Sequence, residues 1–222
     1  MVQDYKYKLP NASGQPQEKI AHSNSLIIIG ANGSGKSKLG AWMEQQSMDN
    51  THRVGSQRSL SFGEFIPLKS YEQAENLLLY GQEKKEQTKG NRWNWGNNYT
   101  TQLLQDYENV LAALIAMENN ENAAFRKDCK ERDKTGQQYK KAPDTIVDTL
   151  KRIWKNVFSR RDIDFDDAKV TATLNKPDGT KTSYNGLEMS DGERVGLYLI
   201  AQCLCIPENK TIIIDEPEIH LH

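Results

Sequence analysis

The chain has 222 residues, with 29 Lys/Arg against 30 Asp/Glu and a formal net charge of -1. That length suffices for one domain with a sizeable core, and the near-neutral charge supplies no tail that demands nucleic acid or an anionic membrane. No apolar run approaches the ~20 residues that span a bilayer, and Tyr5 to Gln17 contains no apolar signal segment. Cys129, Cys203 and Cys205 are an odd set without metal-ligand spacing, which predicts reduced thiols in a cytoplasmic protein.

Taken in chain order, residues 1–29 predict the first strands, with Asn11-Ala-Ser-Gly-Gln-Pro as a turn. Ser25-Leu-Ile-Ile-Ile29 is β-branched and apolar and predicts a parallel strand buried on both faces. It runs into Gly30-Ala-Asn-Gly-Ser-Gly-Lys-Ser37, which fits the spacing G-x-x-x-x-G-K-[ST]. Glycines let successive amides turn inward on a phosphate, and a helix beginning near Lys36 adds the positive end of its dipole. Gly30, Asn32, Gly33, Ser34, Gly35, Lys36, Ser37 and Lys38 are the expected nucleotide-binding set, with the Ser37 hydroxyl on Mg²⁺. His52-Arg-Val-Gly-Ser-Gln-Arg-Ser-Leu60 predicts the next strand. Arg58 within it is expected either to touch a phosphate or to solvate the surface.

Residues 81–98 are polar and glycine-containing and predict a mobile loop, in which Trp93 and Trp95 mark either a contact site or a satellite packing cluster. Three–four spacing of Leu103, Leu104, Tyr107, Val110, Leu111, Leu114 and Ile115 predicts a helix from Tyr99 to about Cys129, broken by Gly136. Pro143 is expected to start a second helix with Ile146, Val147, Leu150, Ile153, Trp154, Val157 and Phe158 on one stripe. From Arg126 to Arg161 twelve Lys/Arg stand against five Asp/Glu, a surplus of seven. That surplus is either a solvated helix face or an attraction for nucleic acid or an acidic partner, and the acidic run Asp162-Ile-Asp-Phe-Asp-Asp beside it argues against a continuous nucleic-acid groove. Lys169 to Tyr184 predicts a β-hairpin around Pro177-Asp-Gly.

Two further segments carry chemistry. Met189-Ser-Asp-Gly-Glu-Arg194 precedes an apolar helix, with Ser190 and Glu193 in capping-box positions. Thr211-Ile-Ile-Ile is a strand that delivers Asp215 and Glu216, and Pro217 then ends the ladder. In parallel α/β sheets ligands sit beyond the carboxyl ends of the strands, so phosphate loop and carboxylates are expected at one crevice. Asp215 is the expected Mg²⁺ ligand. Glu216 is the expected general base and Lys36 the expected catalytic cation.

The order of phosphate loop, signature and Asp-Glu resembles the ABC-type ATPases. Ser190 and Gly192 match their Leu-Ser-Gly-Gly-Gln signature, while Met189, Asp191 and Glu193 depart from it. Asp215-Glu-Pro-Glu-Ile-His-Leu-His222 looks like the corresponding stretch of the ABC-type group that includes the OLD-family nucleases. The resemblance implies an α/β P-loop NTPase of ABC (SMC/Rad50/OLD-like) type. Residues 1–80 and 162–222 would form the core lobe and 81–161 a helical insert, with the domain cut short after the carboxylate strand. It further implies ATP and Mg²⁺ as cofactors, Gln57 as a metal-contacting glutamine, and ATP sandwiched in a homo-oligomer with Ser190, Gly192 and Glu193 supplied by the neighbour. Neither His220 nor His222 matches the family's switch histidine, and a His-x-His pair offers too few ligands for a closed metal site.

Residues 52–60 and 190–194 look similar to the AriA family of ATPase subunits in PARIS-type anti-phage defence. That similarity implies a phage-encoded trigger protein and a Toprim-type nuclease partner of AriB type. The rival expectations are an SMC/Rad50/RecF-like repair ATPase, which duplex DNA would stimulate with steep salt dependence, and a nucleotide-gated scaffold with incidental hydrolysis.

Overall fold

The computed structural model describes residues 5–86, 88–94 and 99–219. Trp95, His220 and His222 lie outside the described residues. Among those described, the chain is mixed α/β, with five α-helices and three small sheets.

β1 (Tyr5–Pro10) and β2 (Pro16–Ala21) form an antiparallel hairpin. Its turn is closed by Asn11, whose Oδ1 accepts from Ser13 N, Ser13 Oγ and Gln15 N. The run from Leu26 to Ile29 differs from expectation. It joins no sheet, and Ile27 and Ile29 are 82% and 90% exposed. A β-branched apolar run reports a preference for a pleated surface, but a strand also needs a neighbour for its amides, and no ladder among the described residues supplies one.

α1 (Lys36–Gln46) leads through a short turn to β3 (Thr51–Val54), which pairs in parallel with β7 (Thr211–Ile214). The bond from Asp215 N to Val54 O extends this ladder by one step. β3 is wholly buried, whereas β7 is half-buried rather than covered on both faces. The rest of the segment after Val54 is not strand: the backbone of Gln57 and Ser59 bonds to that of Leu104 in an isolated bridge.

The main core is built by α2 (Tyr71–Tyr80), α3 (Tyr107–Thr135), α4 (Ile146–Val157) and α5 (Asp191–Cys205) with β4 (Arg161–Asp166), β5 (Lys169–Asn175) and β6 (Lys181–Asn185). These strands form one antiparallel sheet in the order β4-β5-β6, so the acidic run Asp162 to Asp166 is a strand. Its Asp164 and Asp162 take Lys151 and Lys155 of α4 at 2.7 and 2.5 Å. Arg132, Lys134 and Arg161 also have carboxylate partners, so local pairing absorbs part of the basic surplus between residues 126 and 161. α3 starts at Tyr107 rather than Tyr99. Its first three turns, to Ala116, are core, and after Met117 it runs out into solvent as far as the left-handed Gly136. The helices of the 81–161 stretch share one hydrophobic cluster with Val54, Val170 and Leu197. α4 starts after Thr145, which closes a capping box with Asp148, rather than at Pro143. No described helix is long and apolar enough to cross a membrane.

Residues 88–94 are the second departure, because charge anchors them instead of leaving them mobile. Lys89, Arg92 and Trp93 are buried. Lys89 donates to Glu44 of α1 and to the Thr51 carbonyl. Arg92 donates to Asp106 at 2.7 Å and to the carbonyls of Leu78 and Arg53. Trp93 lies under the Arg53 guanidinium at 3.9 Å, which makes it a packing residue. Glu44 also receives Arg53 N and Nε at 3.3 Å, so it holds two buried cations.

On the other side of β3, Asp106 accepts from Arg92, Tyr198 and Gln202. The Gln202 amide nitrogen points at this carboxylate, so its Oε1 faces His52 Nε2 at 2.8 Å. His52 Nε2 lies between Gln202 Oε1 at 2.8 Å, which suits a protonated Nε2, and Arg92 Nη2 at 3.3 Å, which suits a bare one, while the ring's buried Nδ1 has no partner. Protonating the neutral ring would add a second cation beside Arg92. Complete burial, then Arg92, Lys89 and Lys210, push the His52 pKa well below its ordinary value, against a smaller opposing contribution from Gln202.

Two outcomes are expected. Changing Ile27→Ser together with Ile29→Ser should move the urea-unfolding free energy by no more than about 0.5 kcal/mol, as for open surface sites; a buried central strand would lose several times more. The unfolded chain protonates His52 near pH 6.5 while the folded chain resists, so stability is lost as pH falls below about 6.5, by at most ~1.4 kcal/mol per pH unit from this group. Urea midpoints at pH 7.5 and 5.5 should differ less in His52→Gln than in the wild type.

Candidate functional site

The segment Gly30 to Ser37 folds as an exposed turn that leads into α1. Gly33 and Gly35 have φ of 78° and 93°, a left-handed conformation that side chains resist. Ser34 N bonds back to Ala31 O at 3.1 Å, and Leu39 N to Gly35 O opens α1. Gly30, Ala31, Asn32, Gly33 and Ser34 are exposed, as is Lys38, while Gly35, Lys36 and Ser37 are half-buried. The Lys36 ammonium folds over the loop and donates to the carbonyls of Gly30 and Ala31 at 2.9 and 3.2 Å. It is thus held above the turn by acceptors that a phosphate oxygen can replace.

The direction of α1 relates this loop to the carboxylates. The last turns of α1 lie against the start of β3, where Glu44 meets Arg53 and Lys89 reaches both Glu44 and the Thr51 carbonyl. One turn earlier, a Cβ at Gly40 would lie 3.4 Å from Ile213 Cγ2 and 3.5 Å from Arg53 Cδ. Because residues 47–50 turn the end of α1 straight into the start of β3 and α1 packs back along β3, with Gly40 reaching Ile213 of β7, α1 runs antiparallel to the β3·β7 pair. Its N-terminus, with Lys36 and Ser37, points toward the strand end that carries Asp215 and Glu216.

Asp215 is 9% exposed, and its Oδ2 is buried without a hydrogen-bond partner. A bare carboxylate oxygen of this kind fits a hard cation. Among the described residues no cluster of three or more His, Cys, Asp or Glu could cage a metal alone. Mg²⁺ characteristically takes one or two protein oxygens and completes its shell with phosphate and water, so the donor set suits Mg²⁺ carried with a nucleotide. Glu216 is half-buried, with φ of 48°, unusual for a residue with a side chain.

Arg58 holds this turn. It is buried rather than on the surface, and its Nη1 donates to Gly55 O at 3.1 Å and Asp215 O at 3.3 Å. Its Nη2 donates to Glu216 O at 3.1 Å and Pro217 O at 3.5 Å. The sequence offered no signal for this, since three of the four partners are backbone carbonyls 157 to 159 residues away. The side chain of Gln57, the expected metal-contacting glutamine, is exposed, and its carbonyl accepts from Leu104 N.

The signature segment is a capped helix start. Ser190 Oγ donates to Glu193 Oε2 at 2.6 Å and accepts from Glu193 N, while Ser190 N bonds the same carboxylate. Glu193 is buried and also pairs with Arg161 at 2.7 Å and with the Tyr184 hydroxyl. Its carboxylate is thus engaged inside the subunit, whereas Ser190 is exposed and Gly192 half-buried at the open end of α5.

Compared with protein-family models, with curated proteins and with solved structures, the chain matches none.

Proposed function

We propose that the chain is an ATP-binding and ATP-hydrolysing switch subunit with a P-loop NTPase site of ABC type. The observation that carries this reading is the arrangement at one end of the β3·β7 pair. A loop with left-handed Gly33 and Gly35 opens a helix whose N-terminus points the same way as Asp215, which keeps a buried, unpartnered oxygen. Amides and Lys36 suit the phosphates of a nucleotide, and Ser37 with Asp215 suits its magnesium.

Bound Mg²⁺ would supply charge neutralisation at the β- and γ-phosphate oxygens. Lys36 exchanges the carbonyls of Gly30 and Ala31 for phosphate oxygens and offsets charge as the γ-phosphoryl group transfers. Glu216 accepts a proton from the attacking water as its oxygen bonds to the γ-phosphorus. The bond from that phosphorus to the β–γ bridging oxygen breaks, releasing ADP and inorganic phosphate. Ser190 and Gly192 of a second copy would close the site over the γ-phosphate. There the neighbour's phosphate takes the Ser190 hydroxyl from Glu193.

The wider role rests on the sequence resemblance. In it the chain assembles as a homo-oligomer with ATP at subunit interfaces and restrains or releases a Toprim-type nuclease of AriB type in anti-phage defence. ATP binding fixes one assembly, and hydrolysis or a phage trigger releases it.

Phosphate release and binding of a fluorescent ATP analogue separate the components. Glu216→Gln should keep nucleotide affinity and lose about 10²–10⁴-fold in hydrolysis, the range for a lost general base. Lys36→Ala should lose both. Wild-type chain that neither binds nor hydrolyses ATP would contradict the reading, and a Glu216→Gln variant at full rate would remove Glu216 as the base.

A further inference from the structure

Arg58 has an unusual partner set for a buried arginine. Its four acceptors are all backbone carbonyls: one in the segment leaving β3 and three consecutive ones at Asp215, Glu216 and Pro217. Among the described residues no ion-pair geometry links it to a carboxylate, although the acids of Asp215, Glu216 and Glu218 are near enough to act on its charge. Arginine's planar fork suits this task, since it reaches several acceptors in fixed directions where lysine offers a point charge.

The turn it grips needs holding. Glu216 sits at φ 48°, and Pro217 brings no amide of its own to the ladder. The internal bond closing the turn, Ile219 N to Glu216 O, is long at 3.3 Å. A left-handed residue with a side chain is disfavoured unless its surroundings fix it, and such residues concentrate at functional sites. Arg58 is itself fixed from behind. Gln57 O accepts from Leu104 N at 3.0 Å, Ser59 N donates to Leu104 O at 2.8 Å, and Leu104 lies two residues before the Asp106 anchor of α3.

We propose that Arg58 is a positioning residue that sets the Asp215–Glu216 turn for metal and water through the turn's own carbonyls. This role rests on the ATPase reading of the site. Without the fork, Glu216 relaxes from its left-handed conformation and Asp215 Oδ2 loses its fixed direction, while the phosphate loop, which Arg58 does not touch, keeps its shape. Hydrolysis and magnesium dependence should therefore suffer more than nucleotide affinity.

The test compares wild type, Arg58→Met, which keeps the stem, and Arg58→Lys, which keeps the charge. The readouts are kcat and KM for ATP across a Mg²⁺ titration, together with amide hydrogen exchange over residues 211–219. Arg58→Met should lower kcat and raise the Mg²⁺ half-saturation by about 10–100-fold, the range for lost outer-shell support. KM at saturating Mg²⁺ should stay within about threefold, since the phosphate contacts are intact. Exchange at Asp215, Glu216 and Ile219 should accelerate, and Arg58→Lys should recover only a small part of the loss. An active wild type whose Arg58→Met variant keeps its kcat and Mg²⁺ dependence overturns this role and leaves the ATPase reading standing. Full recovery by Arg58→Lys overturns the fork in favour of charge alone. A wild type that neither binds nor hydrolyses ATP overturns the ATPase reading, and this role with it.

Discussion

The carboxylate of Asp106 ties four segments of chain together, and the short β3·β7 pair stands on that knot. One oxygen takes the Tyr198 hydroxyl, and the other takes Arg92 and the Gln202 amide. Arg92 passes the constraint to the Arg53 carbonyl in β3, and Gln202 passes it to His52 in the same strand. Asp106 also lies at the N-terminus of α3, where the helix dipole favours its charge. Two four-residue strands have little cohesion of their own, so their position follows from this network on one side and from Glu44 of α1 on the other. Breaking one member of a buried charge pair costs more than the pair contributes, so Arg92 and Asp106 are each held in place by the other.

The same network sets the electrical character of the interior around β3. Arg53, Lys89 and Arg92 are buried against the carboxylates of Glu44 and Asp106, and His52 stays neutral because a further cation would have no partner. Burial outweighs the attraction of Glu44 at Lys89 and pulls its pKa down to about 8. Arg58 extends the positive lining to the carboxylate turn without neutralising it, because its hydrogen bonds go to carbonyls. Among the described residues, Asp215 and Glu216 are therefore not engaged in ion pairs, which the proposed metal and water roles require.

Sequence reasoning reached what short-range chemistry dictates. The glycine turn that opens α1, the capping box at Ser190, the helix break at Gly136 and the strand at Thr211 each depend on a few adjacent residues, and each forms where expected. It failed where the decisive partner is distant. Leu26 to Ile29 carries a strand's composition but lacks a neighbouring strand. Residues 88–94 are a loop as their polarity predicts, but Lys89 and Arg92 are drawn inside by Glu44 and Asp106. Arg58 was expected at a phosphate or on the surface, and its burial was missed for the same reason: no side chain in the sequence announces a carbonyl as its partner. The strand at Asp162 was masked by acids that read as surface and face Lys151 and Lys155.

The central claim is that phosphate loop and carboxylate turn share one metal–nucleotide. Electron paramagnetic resonance of Mn²⁺ titrated with ATP and the chain tests it most directly, because Mn²⁺ replaces Mg²⁺ and reports its own ligands. The account predicts an immobilised Mn²⁺ signal that needs nucleotide and chain together, carries phosphorus couplings, and weakens in Asp215→Asn. A spectrum unchanged from Mn²⁺ and ATP in buffer, or an immobilised signal indifferent to Asp215, would contradict it.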